Sequence, residues 1–369
     1  MADLNEINMA ETMKETDKKC PQCGGVMDFN PATGGLKCPY CDYEQEIEKS
    51  ADESDTPQKA AELDFASAEF TENCDWGIAT KTVICKACGA ESVYDTMETA
   101  AVCPFCGSNQ VMEANEQNTM APGGVVPFSV SDKDASERFK QWIKKKWFCP
   151  KLAKDSAKAK RFKGIYLPYW TFDTEGSAHY TAKYGIDHTS TDEDGHTKVD
   201  TIWYSTSGYY VQFYNDELVL ASNQHDSKML HGIEPFDTEN NKAYKPEYIA
   251  GFVAERYSLG VKDAWETAKI SIKKKMNKEI NSKILADHSA DHVKQLNFAP
   301  QYDAVTYKYL LLPIWVSNFV YKDKVYQFMV NGQTGKVHGK TPISVPKVVL
   351  TVLGVIIVLA VIYYFSYLT

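Results

Sequence analysis

Residues 165–172 read Ile-Tyr-Leu-Pro-Tyr-Trp-Thr-Phe, and they open the stretch that sets the class of the central part of the chain. From there to Tyr214 come Tyr166, Tyr169, Trp170, Phe172, Tyr180, Tyr184, Trp203, Tyr204, Tyr209, Tyr210, Phe213 and Tyr214, with Thr and Val between them. Aromatic and β-branched side chains fit a pleated, half-buried surface, so the run predicts antiparallel strands with Asp192–Gly195 as a turn. A stacking platform for sugars or bases uses the same residues, but cross-strand packing is the commoner cause and is preferred. Tyr166-Leu167-Pro168-Tyr169-Trp170 is echoed by Leu311-Leu312-Pro313-Ile314-Trp315. The second copy continues through Phe319-Val-Tyr and Val325–Val330 to the turn dipeptide Asn331-Gly332. Two similar β units that pack together are expected.

Between the two copies, Val261 to about Ala286 predicts a long helix. Ala268, Ile272, Met276, Ile280 and Ile284 recur every fourth residue, with Lys273, Lys274, Lys275 and Lys278 mostly off that line. Upstream, Ser131 or Asp132 is placed to cap a helix running to about Trp147, with Phe139, Trp142, Ile143 and Trp147 at helical spacing above Lys144, Lys145 and Lys146. Residues 133–163 hold 12 basic and 3 acidic side chains. The plainer reading puts the aromatic face in the core and the lysines in water; the alternative lays the segment against anionic lipid headgroups. Residues 125–342 are therefore expected to form an α+β domain rich in antiparallel aromatic strands.

On the N-terminal side the cysteines fall into two units of one spacing, Cys20-x2-Cys23-x14-Cys38-x2-Cys41 and Cys85-x2-Cys88-x14-Cys103-x2-Cys106. Zinc takes four thiolates tetrahedrally, and two C-x2-C turns joined by a hairpin supply them. Gly24, Gly89 and Gly107 follow the second cysteine of their turns, where a positive φ is readily accepted, and Asp42 replaces glycine tolerably in the remaining turn. Two structural Zn²⁺ ions are expected, one ribbon in residues 1–43 and one in 74–110. Acidic residues 44–73 read as a linker between them and 111–124 as a second linker. Thioredoxin-like redox chemistry would want a single C-x-x-C in a βαβ setting, and a reducing compartment argues against disulfides. Cys74 and Cys149 are left as ordinary small side chains. A site closed by four thiolates has no open position for a substrate, so its role is to build a fold.

On the C-terminal side Val348–Leu368 is uncharged over its whole length and closes with Tyr363, Tyr364 and Tyr367. That is enough to cross a bilayer as a helix, and residues 346–368 are read as a transmembrane segment. Lys340 and Lys347 precede it, nothing basic follows, and residues 1–17 carry no signal-like apolar run, so residues 1–347 are expected in the cytoplasm. The net charge of −9 over 369 residues divides unevenly: residues 1–120 carry 23 acidic and 8 basic side chains, net −15, and the remainder is net +6. An acidic ribbon half repels phosphate, which favours a protein partner over nucleic acid there; the basic 133–163 segment is the alternative nucleic-acid site.

Two catalytic patterns are weighed and set aside. Gly335-Lys-Val-His-Gly339-Lys340-Thr341 has three residues between its glycines where a phosphate loop needs four, and Pro342 follows. His288-Ser-Ala-Asp-His292 resembles an inverted zincin order with a shortened acid, at an expected helix end. No nucleophilic constellation stands out, and a non-enzymatic role is expected.

With the paired ribbons, the Leu-Pro-x-Trp sequences, Tyr244-Lys-Pro-Glu-Tyr248-Ile-Ala-Gly-Phe252-Val-Ala-Glu255-Arg-Tyr257 and the C-terminal segment in view, the chain resembles the bacterial transcription-factor-IIB-type zinc-ribbon membrane proteins over essentially its whole length. Members are often labelled replication-restart, or primosomal, helicases, and their function is not established. The resemblance implies zinc ligation by the eight cysteines of the two units. The helicase label does not carry over, because such a motor needs an ATP-cradling loop. The expected whole is multidomain: two small β zinc ribbons, the α+β domain and one C-terminal transmembrane helix, acting as a tail-anchored adaptor that brings a protein partner to the membrane.

Overall fold

The structure is a computed structural model and describes residues 19–47, 59–68, 80–85, 91–95, 111–113, 120–156, 162–191, 197–222, 227–322 and 324–368. The first ribbon is a three-stranded antiparallel sheet of β1 (Asp28–Asn30), β2 (Gly35–Lys37) and β3 (Glu44–Gln45). It does not stand apart from the rest. The Phe29 ring meets Tyr248 edge-on at 5.9 Å, the Phe29 N–H donates to the Ala250 carbonyl at 3.0 Å, and Met27, Phe29 and Leu36 are buried.

Among the described residues, all other strands form one large sheet of thirteen, curled into a half-barrel. In chain order come β4 (Leu63–Asp64), β5 (Thr80–Cys85), β6 (Glu91–Asp95), β7 (Val111–Glu113) and β8 (Gly124–Val125). Helices α1 (Asp132–Lys145) and α2 (Lys151–Ser156) lead to the long hairpin of β9 (Lys163–Thr191) and β10 (Thr197–Leu220). Next are α3 (Ser227–His231), β11 (Lys242–Ala243), β12 (Val253–Ala254), α4 (Val261–Asp287) and β13 (His292–Phe298). The chain then runs through β14 (Gln301–Tyr321), β15 (Lys324–Asn331) and β16 (Val337–Gly339) into α5 (Val345–Leu368). The protein is therefore mostly β, and the expected aromatic strands are β9 and β10; the Asp192–Gly195 turn lies outside the described residues.

The two Leu-Pro-x-Trp sequences pair with each other. β9 and β14 run antiparallel at the centre of the sheet with Leu167 opposite Leu312, Pro168 opposite Leu311 and Tyr166 opposite Pro313, an arrangement with two-fold symmetry about the central leucines. The symmetry extends outward. β9 pairs with β10 from Tyr169 on, and β14 pairs with β15 from Ile314 on, so each outer partner stops beside a proline that has no N–H to offer it. The proline carbonyls are used alike: Ala221 N–H donates to Pro168 at 2.9 Å and Gly332 N–H to Pro313 at 2.8 Å. Short β12 lies parallel on Ile165-Tyr166 and short β8 lies parallel on Leu310-Leu311. The Trp170 indole donates to the Leu259 carbonyl and the Trp315 indole to the Val130 carbonyl, both at 2.8 Å. Each half thus comprises a short strand, a helix and a long hairpin (β8, α1, β9, β10 and β12, α4, β14, β15), and each half's short strand completes the other half's long strand.

Period-two alternation divides the core between the two faces of this sheet. Tyr166, Trp170, Phe172, Tyr307, Tyr309, Leu311 and Trp315 face α1 and α4 in one cluster, where Phe139, Ile143, Ala268, Ile272, Met276, Ile280 and Ile284 close over them. Ile165, Leu167, Tyr169, Leu310, Leu312 and Ile314 face the other way, under Met229, Leu230, Ile233 and Phe236. The α4 apolar line is buried throughout, as its fourfold spacing requires. Residues 59–68, inside the stretch expected to be a linker, are built into the body: β4 pairs with β14 at Thr306-Tyr307, and Phe65 packs against Phe172, Trp265 and Tyr307. Acidic composition there masks the apolar anchors Leu63 and Phe65. Within the expected second linker, β7 pairs with β5 and Gly124 lies in the sheet.

Candidate metal centre

Cys20, Cys23, Cys38 and Cys41 come together, their four Sγ atoms all within 4.8 Å of one another. Two turns of matching geometry bring this about. In the first, Gly24 N–H donates to Cys20 O at 2.8 Å and Cys20 N–H to Gly25 O at 2.7 Å; in the second, Asp42 N–H donates to Cys38 O at 3.0 Å and Cys38 N–H to Tyr43 O at 2.8 Å. The residue after each second cysteine is left-handed, Gly24 at φ 74° and Asp42 at φ 60°. Asp is among the residues that tolerate that region, and Lys37 pairs with its carboxylate at 3.1 Å.

The donor set fits a tetrahedral cation. Cys20 and Cys41 are 3.5 Å apart, as are Cys23 and Cys38, close to the ~3.8 Å edge of a tetrahedron whose metal–sulfur bonds are about 2.3 Å. Main-chain N–H groups already serve the sulfurs. Burial works against the Cys38 thiolate, but the N–H groups of Tyr40 and Cys41 and the neighbouring thiols outweigh it and bring its pKa down to about 7. At Cys41 the Tyr43 N–H favours the thiolate, yet burial and the three other thiols push it up to about 12. Thiols this close resist ionising together, and a divalent cation among them removes that penalty. The cluster could hold one zinc ion with all four positions filled by the protein.

Of the second set, Cys85 ends β5, which pairs with β6 on one side and β7 on the other. Cys88, Cys103 and Cys106 lie outside the described residues, as does Cys74. Cys149 is buried. His288 and His292 are not brought together on one ligand: His288 caps α4, stacks on Tyr184 at 4.0 Å and meets Thr206 Oγ1 at 3.1 Å, whereas His292 enters β13 and meets Asp187 at 3.0 Å. Gly335–Gly339 turns from β15 into β16, with no helix behind it to receive a phosphate.

A cluster the sequence did not point to lies on the β9, β10 and β14 strands beside the 59–68 strap. Lys308 is buried and its Nζ reaches Asp216 at 2.8 Å, Glu62 at 3.3 Å and Asp173 at 3.4 Å. Thr238 Oγ1 donates to the other Asp216 oxygen at 2.8 Å. Burial opposes the Lys308 charge, but the three carboxylates outweigh it and hold its pKa above the ordinary lysine value. Burial likewise raises the Asp173 carboxyl, with Asp216 and Glu62 adding to it against Lys308 and the Asp216 N–H. With its ammonium fully engaged, Lys308 clasps the 59–68 strap to the β9–β10 hairpin and is not free for chemistry. The one available signal was a lysine inside the apolar run Tyr307-Lys308-Tyr309-Leu310, since a charge so placed needs partners.

At the other end α5 is long and apolar enough to cross a membrane, and none of that stretch is buried. Its base is tied to the turn after α1. Lys347 Nζ donates to the carbonyls of Trp147 at 3.0 Å and Cys149 at 2.9 Å, and Ser344 N–H donates to Phe148 O at 2.8 Å.

No family model matches the chain. No solved structure matches it either. It is similar to the uncharacterized protein YdjG of Bacillus subtilis (strain 168), 28% identical over 336 residues that cover 89% of this chain and 91% of that protein.

Proposed function

We propose that this is a zinc-ribbon protein held to the membrane by α5, with residues 1–347 in the cytoplasm, and that it acts as a non-enzymatic adaptor that brings a protein partner to the bilayer. The observation that carries the reading is the pairing of a closed four-thiol centre with an apolar helix of membrane-spanning length, none of it buried from Val345 to Tyr364, in one chain. The centre leaves a metal no open position for substrate, and among the described residues none buries the membrane-length stretch of the helix. The repeated spacing extends the proposal to a second zinc at Cys85, Cys88, Cys103 and Cys106. Kinship with the bacterial transcription-factor-IIB-type zinc-ribbon membrane proteins belongs to the same proposal. The net −15 of residues 1–120 favours a basic protein surface as partner and disfavours nucleic acid at the ribbons.

Metal analysis of the full chain tests the first part: about two zinc per chain are expected, and a value near zero ends the reading. Cross-linking in isolated membranes, comparing the chain with a Cys20→Ser/Cys38→Ser variant, tests the second. A captured protein lost in the variant is expected. Salt-sensitive capture of DNA by the 133–163 segment would replace the adaptor with the nucleic-acid alternative.

A further inference from the structure

At the turn between α1 and α2 and the start of α2, large apolar side chains stay exposed, with Lys347 Nζ 5.8 Å from the Trp147 ring centroid. Trp147 is 70% exposed, Leu152 74% and Phe148 41%, and Ile343, just before α5, is 68% exposed. Folding would normally bury such groups. The turn is nevertheless held firmly: its carbonyls at 147, 148 and 149 accept from Lys347 and Ser344, as described above, and Lys154 Nζ donates to Lys144 O at 2.8 Å. Lys347 is the last charge before the uncharged run that starts at Val348. The exposed apolar residues are therefore fixed at the level where α5 would enter hydrocarbon.

The charge around them is one-signed. Arg138–Lys154 contains seven basic residues and no acidic one, with Lys144, Lys145 and Lys151 exposed and Lys146 lying 4.6 Å over the Trp142 ring. Tryptophan at the headgroup boundary, with lysine stems over apolar surface and ammonium groups outward, is the arrangement that an anionic bilayer surface accepts. A protein partner would satisfy the apolar residues too, but nothing would then require them to lie level with Lys347.

We propose that residues 144–152 form an interfacial foot, in which Trp147, Phe148 and Leu152 enter the outer edge of the bilayer and Lys144, Lys145 and Lys151 engage anionic phospholipid headgroups. The proposal rests on α5 being the membrane anchor. Seating the foot fixes how the half-barrel and its metal centre stand over the membrane, and makes that stance depend on lipid charge.

The test uses the full chain reconstituted into vesicles of phosphatidylcholine alone, or with roughly 30% phosphatidylglycerol, with bromine at shallow or deep acyl positions. Flotation of the vesicles reports anchoring by itself. Subtracting the fluorescence of a Trp147→Phe variant isolates Trp147 from the other tryptophans. Trp147 is expected to be quenched by shallow bromine in preference to deep, by about twofold or more when phosphatidylglycerol is present. The Lys144→Glu/Lys145→Glu/Lys151→Glu variant should lose the phosphatidylglycerol increment and still float. Leu152→Ser should weaken quenching without changing flotation. Chains that float with Trp147 unquenched, or quenched equally with and without phosphatidylglycerol, overturn the foot and leave the anchor standing. Chains that do not float overturn both.

Discussion

At the start of β9 Lys163 is exposed, whereas at the two-fold related place on β14 Lys308 is buried among three carboxylates. The halves share hydrogen bonds almost atom for atom around Pro168 and Pro313, and they share the tryptophans Trp170 and Trp315. They differ in what the strands carry away from that centre. Thr171 and Asp173 of the first half correspond to Val316 and Asn318 of the second, and buried Val126 corresponds to buried Glu255. One end of the central pair is thus filled by ions and takes up the 59–68 strap, while the other carries Val316 and Asn318 and leaves Lys163 in water. A duplicated backbone plan tolerates this because ladder hydrogen bonds depend on main chain alone, and side-chain identity is free wherever a local partner exists.

The largest effect should come from the tryptophans, where the halves are most alike. Trp170→Ala and Trp315→Ala should each cost about 3–5 kcal/mol, through a lost ring and an orphaned carbonyl at Leu259 or Val130. Because β8 and β12 cross over to the opposite halves, both variants should shift one common denaturation transition followed by circular dichroism in detergent. Two separable transitions would show that the halves are independent units and break the comparison.

Next come the lysines, where the halves are least alike. Lys308→Met leaves Asp173 and Asp216 buried without their cation and should cost on the order of 3–5 kcal/mol near neutral pH, while Lys163→Met should stay within about 0.5 kcal/mol. The pH sign follows from Asp173. Its carboxyl is already raised by burial, so between its unfolded and folded pKa values the folded state binds more protons there than the unfolded chain does. Such a group favours folding at low pH and loses that contribution as pH rises through the folded pKa. Removing Lys308 raises it further. The Lys308→Met deficit should therefore be larger at pH 8 than at pH 5, and a flat profile would mean the carboxylates find another cation.

The β15 end gives a smaller contrast. Asn331 is fully buried, accepts from the N–H groups of Gln333 and Thr334 and donates to Ile233 O and Pro235 O. Its counterpart beside Pro168 is Leu220, whose side chain has no polar atom to offer such bonds. Asn331→Ala should cost about 2–3 kcal/mol by orphaning those groups, and Asn331→Asp should cost at least as much near neutral pH, because a carboxylate oxygen would replace the NH2 group that faces the Ile233 and Pro235 carbonyls.

Much of this was legible wherever the deciding contacts are close in sequence. The spacing of Cys20, Cys23, Cys38 and Cys41 is itself the geometry of the two turns, and the fourfold line from Ala268 to Ile284 is itself the buried face of α4. The Leu-Pro-x-Trp echo announced paired β units, but not that the two copies face each other in register. The longer repeat, Phe128-Ser129-Val130-Ser131-Asp132-Lys133-Asp134-Ala135 against Tyr257-Ser258-Leu259-Gly260-Val261-Lys262-Asp263-Ala264, was not read from the sequence, since half of its positions differ and the segment is short. The Lys308 clasp joins residues as far apart as Glu62, and no local pattern encodes which carboxylate a distant lysine will meet. The placement of Trp147 was missed for a related reason: α1 stops at Lys145, and the following turn takes its shape from Ser344 and Lys347.

That repeat also contains the smallest and cleanest contrast. Ser131 and Gly260 are the N-caps of α1 and α4, with nearly the same backbone, φ −72°, ψ 164° and φ −64°, ψ 157°. Ser131 Oγ accepts from Asp134 N–H at 3.1 Å and donates to the Asp134 carboxylate at 2.8 Å, while Gly260 offers α4 no side-chain cap. Nothing stands within 4 Å of where a Cβ on Gly260 would lie, and Asp263 holds the place that Asp134 holds in α1. Gly260→Ser should therefore supply the missing cap without a clash and remove glycine's excess freedom from the unfolded chain. The gain should be about 0.5 kcal/mol, or roughly 1–2 °C in melting temperature for a chain of this size. The reverse exchange, Ser131→Gly, should lose a similar amount. A Gly260→Ser variant less stable than the parent would mean that α4 begins differently from α1, and that the two-fold relation ends before the helices.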